Sequence, residues 1–370
     1  MVTRRGPFGW RGPRRAIGLT SIVLTSAILS AGGCARRGPR DVGNQNPRSE
    51  FVDGPNGPSR AHDAGAEPER INAATSPAGR TPRPVANAET RVLALDASRV
   101  YFADPADDSL AAVPKSPPAD PATVTPTRIA RRGPMPGALS IDVREAALAW
   151  IASPGDTILR VPATGGTPTT IRDRGIFTSV AAESGDVFFT EVHGDGGALT
   201  RVTGTTAARL ATFEGTPHGV VVDGDNVYVA TSSRLVATTR TRGDVSELAR
   251  GVGFESPQVD ETWVYATAVD PKSRARLLVR AKKTGGTVET VATGVRDAPI
   301  ALRGGIVYWF AADRPALLSR PVDAGQPASP TVVSEDAMLE HVTALAIDDD
   351  GVYVATGTGE SARIVVIALR

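Results

Sequence analysis

The chain has five tyrosines, Tyr101, Tyr228, Tyr265, Tyr308 and Tyr353, and each directly follows a valine within a short apolar run. Aligned on that valine, with "LAW" and "VFF" as substitutes for the pair, the sequence has seven anchors: Val100, Leu148, Val187, Val227, Val264, Val307 and Val352. Successive anchors lie 48, 39, 40, 37, 43 and 45 residues apart. Self-similarity at that period means a propeller or a solenoid.

Each unit fills in around its anchor in the same way. An apolar strand precedes it and ends at a turn acid four residues upstream, as in Asp96, Glu183, Asp223, Asp260 and Asp348; unit two has Asp142 six upstream, and unit six has Arg303 instead. Third runs begin at Leu110, Ile158, Leu199, Leu235, Leu277, Leu317 and Ile364, and fourth runs centre on Ile129, Ile171, Leu210, Leu248, Val291 and Val333. Gly-Gly pairs in "VPATGGTPTTI" and "RAKKTGGTVETV" supply the positive backbone angles of a tight connection. Four strands and their turns in about 40 residues make one propeller blade. The expected fold is therefore all-β: a seven-bladed β-propeller of four-stranded antiparallel blades over residues 80–370.

The last unit ends at "ARIVVIALR" with its third strand. A blade left one strand short would expose an open edge. "PVANAETRVLALD" resembles "ETVATGVRDAPIALR", with Val85 standing before Val100 much as Val291 stands before Val307. Residues 81–88 are thus expected to be the fourth strand of blade seven and to close the ring.

The second strand alternates with period two, yet both its faces are apolar, as a strand sandwiched between neighbouring blades requires. The tyrosine is read as blade packing, its ring filling the space between blades and its hydroxyl finding a partner at the rim. The upstream acid is read as a cap of the first hairpin turn, with a ring of acids gripping a cation at the channel mouth as the sharper alternative.

Residues 1–33 read as a targeting segment. Arg4, Arg5, Arg11, Arg14 and Arg15 make a basic start, Ala16 to Leu29 an apolar stretch too short to span a bilayer, and small residues lead to Cys34, the only cysteine of the chain. "LSAGGC" resembles a bacterial lipobox, which implies lipidation at Cys34 and removal of everything before it. By resemblance to lipoprotein sorting, Ala35 after the cysteine favours the outer membrane of the cell envelope. Residues 34–79 carry dense Pro, Gly, Asn and charge without apolar periodicity and are expected to form a disordered tether.

The pattern in "IVYWF", "LRVPATGGTPTTI" and "TPHGVVVDGDNVYVA" resembles the repeats of secreted bacterial β-propellers related to the YWTD, NHL and TolB-like groups. The resemblance implies the fold and leaves the function open, because such propellers include binding modules, assembly factors and a few enzymes.

The 41 Lys+Arg against 40 Asp+Glu give a net charge of +1, which speaks against a nucleic-acid partner. Sequence motifs for a nucleophile elbow, a phosphate-cradling loop or a Cys/His metal site do not occur, and no cofactor is implied. What remains is a group of loop residues: His193 with Glu191 and Asp195 in unit three, His218 at the start of unit four, and His341 just before unit seven. In a propeller these loops share one face. Imidazoles beside carboxylates are metal-ligand types, while solvated loop histidines are the plainer reading. The expected function is a lipid-anchored binding or scaffold module for an envelope protein, peptide or glycan. The alternative is an extracytoplasmic lyase or hydrolase working at the channel mouth.

Overall fold

The computed structural model describes residues 79–116, 118–241, 243–323 and 329–369, so the targeting segment, Cys34 and the tether up to residue 78 lie outside the described residues. The described chain forms seven four-stranded sheets, each an antiparallel meander. We number the blades I to VII from Leu93. Blade I runs from Leu93 to Arg131, II from Pro134 to Asp173, III from Phe177 to Glu214, IV from Pro217 to Arg250, V from Glu255 to Ala292 and VI from Ala301 to Glu335. Blade VII takes Val342–Ile347, Gly351–Thr356 and Arg363–Ala368 from the end of the chain and Arg83–Ala86 from its beginning. The first strand of every blade packs against the first strands of both neighbours, VII against I included, so the ring is closed.

Closure rests on backbone pairing and on apolar burial. Arg83 pairs with Val366 and Ala86 with Ile364, and Val85 and Ala86 join one cluster with Leu93, Phe102, Tyr353 and Ile364. The expected segment 81–88 thus contains the closing strand. All seven anchors lie on second strands, and the five tyrosines that follow valine are buried. The core is a series of layers between blades: Ala94, Tyr101 and Leu110 of blade I, for example, meet Leu139, Leu148 and Trp150 of blade II.

The Gly-Gly pairs have a second reason besides their angles. Gly165 has φ +96°, and a Cβ there would stand 3.2 Å from the Ile129 carbonyl of blade I. Gly285 has φ +78° and the same relation, at 3.3 Å, to the Glu247 carbonyl of blade IV. The connection from third to fourth strand leans on the outer strand of the preceding blade, and glycine lets the two backbones approach.

Antiparallel meanders put two sets of connections on opposite ends of the ring. The turns between first and second strands, with those between third and fourth, form what we call the turn face. The turns between second and third strands, with the crossings from blade to blade, form the loop face. The closing strand runs from Arg80, whose guanidinium donates 2.5 Å to the Ala368 carbonyl at the turn face, toward Glu89, whose carboxylate accepts from the Gly359 amide at the loop face. The chain therefore reaches the propeller from the turn face.

The upstream acids divide by turn length. In blades I, V and VII the hairpin is longer, and one oxygen of Asp96, Asp260 or Asp348 accepts two backbone amides of its own turn. Asp142 does the same in blade II. In blades III and IV the turn has two residues, starting at Ser184 (φ +53°) or Gly224 (φ +57°). Such a turn closes without a side-chain cap. Glu183 and Asp223 instead pair with cations from the next blade, Arg240 at 2.9 Å and Lys283 at 2.5 Å. The capping reading is thus right for four acids and is corrected for these two.

Candidate functional site at the loop face

The first strands of blades III, IV and VII each begin with a one-residue bulge, and the bulged residues are Thr178, His218 and Thr343. A bulge re-aims a side chain at a strand end. Each sits at the loop-face end of an innermost strand, so the three lie around the mouth of the ring. Thr343 donates 2.6 Å to the Thr90 carbonyl, which ties blade VII to the segment leading into blade I. The Thr178 hydroxyl lies 2.8 Å from that of Thr190, which is fully buried.

His218 is half-buried and faces blade V. Burial is the larger influence and holds its imidazole below the ordinary histidine range; Glu255 pulls the other way and Arg276 adds to the lowering. It is therefore neutral at pH 7. Glu255 accepts from Arg276 at 2.8 Å, and the same guanidinium holds Asp297 of the next crossing at 2.6 Å. A polar chain thus runs along the face from His218 in blade IV to Asp297 in front of blade VI.

Beyond Asp297 the face opens into a cavity of about 450 Å³, walled by Arg296, Asp297, Glu340, His341, Val342 and Thr358 among others. Its frame is rigid. The Arg296 guanidinium donates to four backbone carbonyls, those of Ala311, Leu339, Glu340 and Arg314, at 2.7 to 3.0 Å. One cation thereby fixes the crossing into blade VI, the turn between its second and third strands, and the crossing into blade VII.

The residues singled out in the sequence share this face but do not form one cluster. His341 lines the cavity and His218 sits at the mouth. His193 and Asp195 are exposed at the turn beyond the second strand of blade III, and Glu191 is held by Arg209 at 3.3 Å. Among the described residues no group of three His, Cys, Asp or Glu side chains is placed to hold a metal ion. The metal-ligand reading of the histidines and the cation-gripping ring of turn acids are both withdrawn on this ground, and the acids are spent on turn amides and on neighbouring cations. Arg276, Arg296 and Glu340 were missed in the sequence because arginines and glutamates in loops carry no local signature; only the register of the blades brings them together.

Other propellers share the architecture. An oligogalacturonate lyase from Vibrio parahaemolyticus aligns with a TM-score of 0.56 over 79% of this chain and 91% of that one, at 11% identity. The Swd1 β-propeller domain from Myceliophteria thermophila aligns with a TM-score of 0.55 over 79% of this chain and 100% of that one, at 11% identity. The extracellular domain of a putative one-component system from B. thetaiotaomicron aligns with a TM-score of 0.52 over 78% of this chain and 40% of that one, at 9% identity. The likeness is one of fold. No family model matches the chain, and no curated protein matches it.

Proposed function

We propose that this protein is a lipid-anchored binding module of the cell envelope, tethered through Cys34, whose loop face captures a partner protein, peptide or glycan. The observation that carries the reading is the rigidly framed cavity beside the mouth, on the face opposite to the one where the chain reaches the propeller. A recognition surface gains from preorganisation, and Arg276 and Arg296 provide it. A tether arriving at the turn face leaves the loop face clear. Outer-membrane anchoring follows from the resemblance of "LSAGGC" to a lipobox and from Ala35. Blades that repeat while their loops vary are a scaffold on which recognition is placed without disturbing packing.

A second reading is favoured by the His218 imidazole beside Glu255 at the mouth, residue types that also perform acid–base work in a lyase or hydrolase. The two readings separate experimentally. Full-length protein is used to capture partners from the native envelope, and His218→Asn with His341→Asn is compared with the unaltered chain for capture, melting temperature and turnover of oligosaccharide and ester substrates. A specific partner lost from the variant at unchanged melting temperature supports the binding module. Saturable turnover that His218→Asn abolishes supports the enzyme, and unchanged capture removes the loop face from consideration.

A further inference from the structure

The cavity between the crossings into blades VI and VII has a volume of about 450 Å³, within the roughly 300–1,000 Å³ of sites that enclose ligands. Its chemistry is lopsided. Arg296 lines it, but the guanidinium is committed to backbone carbonyls and acts as frame. Asp297 is held on one side by Arg276 and still keeps 61% of its side-chain surface exposed. Glu340 is exposed, and its carboxylate has no partner among the described residues. Around the rim, Glu89 is fixed to the Gly359 amide and Glu360 stands on the same turn. Glu89, Glu255, Asp297, Glu340 and Glu360 thus outnumber the nearby cations Arg91, Arg276 and Arg296. Val342 adds an apolar wall beside the two cavity carboxylates.

We infer that this cavity receives a basic side chain, lysine or arginine, of a partner polypeptide, with the cationic head between Glu340 and Asp297 and the aliphatic stem along Val342. A partly enclosed carboxylate pair attracts an ammonium or guanidinium more strongly than an open surface does, because the walls exclude part of the screening solvent. A stem of methylene groups matches the apolar wall, as basic side chains do wherever they lie along apolar surface. The inference rests on the reading of the loop face as the binding face, and it specifies what that face recognises.

The test uses the full chain and fluorescein-labelled pentapeptides of glycine centred on lysine, arginine, norleucine or glutamate, with binding read by fluorescence polarisation up to millimolar protein. Lysine and arginine peptides are expected to bind about three- to tenfold tighter than the norleucine peptide, with the advantage shrinking as salt is added. Glu340→Gln is expected to erase that advantage while leaving the melting temperature unchanged, because the carboxylate supports no contact of the fold. Equal affinity of lysine and norleucine peptides, absence of binding by either basic peptide, or an unaffected Glu340→Gln overturns the inference. Displacement of the lysine peptide by spermidine at a far lower concentration than by unlabelled peptide assigns the site to a free amine and overturns the polypeptide assignment. If the cavity variant is unaffected while the His218 and His341 substitutions still abolish partner capture, the cavity inference falls and the loop-face reading stands; if capture is unchanged too, both fall.

Discussion

Lys283, the residue after the third strand of blade V, places its Nζ 2.5 Å from Asp223 of blade IV and 5.8 Å from the centre of the Tyr228 ring. The same position in other blades is Lys115, Arg240, Ala163 and Val322, and it decides how each preceding blade is tied. Lys115 pairs with Asp348 and lies 5.7 Å from the Tyr353 ring. Arg240 binds Glu183 and lies 5.1 Å from the ring of Phe188, which takes the tyrosine's place in blade III. Where the next blade offers Ala163 or Val322, the tyrosine hydroxyl takes over: Tyr101 donates 2.6 Å to Asp96, and Tyr265 donates 2.9 Å to Asp260. Blade VI reverses the charges, with Arg303 in the acid's place donating 2.9 Å to Asp349 of blade VII.

This alternation predicts that one substitution has two outcomes. Tyr101→Phe and Tyr265→Phe remove a partly buried hydrogen bond to a carboxylate and are expected to cost about 1–2 kcal/mol each. Tyr228→Phe and Tyr353→Phe keep the ring that the lysine lies over and are expected to cost under about 0.5 kcal/mol. Denaturant unfolding of the four variants checks the contrast, and equal costs would show that the hydroxyls contribute through packing alone.

Lys283→Met and Asp223→Asn break a pair that is largely sheltered from solvent. Each alone is expected to destabilise by about 1–2 kcal/mol, with the double variant costing clearly less than their sum. A double-mutant cycle measured by the same unfolding experiment reads the coupling, and strict additivity would show that blades IV and V are held by the apolar layer alone.

Asp96 gives the turn face an acid limit. Burial works to raise its pKa, but the Tyr101 hydroxyl and the amides of Ser98 and Arg99 together hold it below the ordinary carboxylate value. A carboxyl whose folded pKa is depressed contributes stability that is complete above its unfolded pKa and is lost as pH falls through the folded one. Melting temperature is therefore expected to drop between about pH 4 and pH 2, with Asp96→Asn less stable at neutral pH and less sensitive over that range. A variant as acid-sensitive as the parent would assign the loss to other carboxyls.

The tyrosines give an alkaline limit of opposite sense. Burial, aided by Asp223, pushes the Tyr228 phenol up to about 12, and burial raises Tyr101, Tyr265, Tyr308 and Tyr353 as well. A group whose folded pKa is raised keeps its stability contribution below the unfolded pKa and loses it as pH climbs through the folded one. Stability is expected to fall from about pH 10 upward. Absorbance at the phenolate band should stay flat through pH 10 and rise together with unfolding, whereas a gradual titration of all five tyrosines in the folded protein would contradict their burial.

Much of this was legible in the sequence because a blade is a local object. Its four strands, its turn glycines and its valine-tyrosine pair recur within about 40 residues, and the truncated last unit pointed to the first residues of the ring. The ties between blades were not legible. Lys283 and Asp223 are 60 residues apart and Lys115 and Asp348 are 233 apart, and no period relates a lysine after one strand to an acid before another until the ring is closed. The lysines had looked only scarce among the arginines. The loop-face histidines were placed on the correct face, but sequence could not tell that blade register separates them, or that Arg276 and Arg296 build the frame between them.

Ring closure supplies the last prediction. Arg83–Ala86 gives blade VII its fourth strand and buries Val85 and Ala86 against Ile364 and Phe102. Removing it exposes the backbone edge of Arg363–Ala368, the most apolar third strand of the molecule, and uncovers side chains of blade I. Burial of one valine contributes about 1.5–3 kcal/mol, and the lost pairing adds to that, a loss comparable with a sizeable part of a domain's net stability. A chain beginning at Arg91 is expected to melt well below one beginning at Gly79 and to associate through the open edge. Adding a synthetic peptide of residues 80–89 should restore part of the melting temperature, because the strand reaches its place from outside the ring. Equal melting temperatures for the two chains would show that the other six blades carry blade VII without its fourth strand.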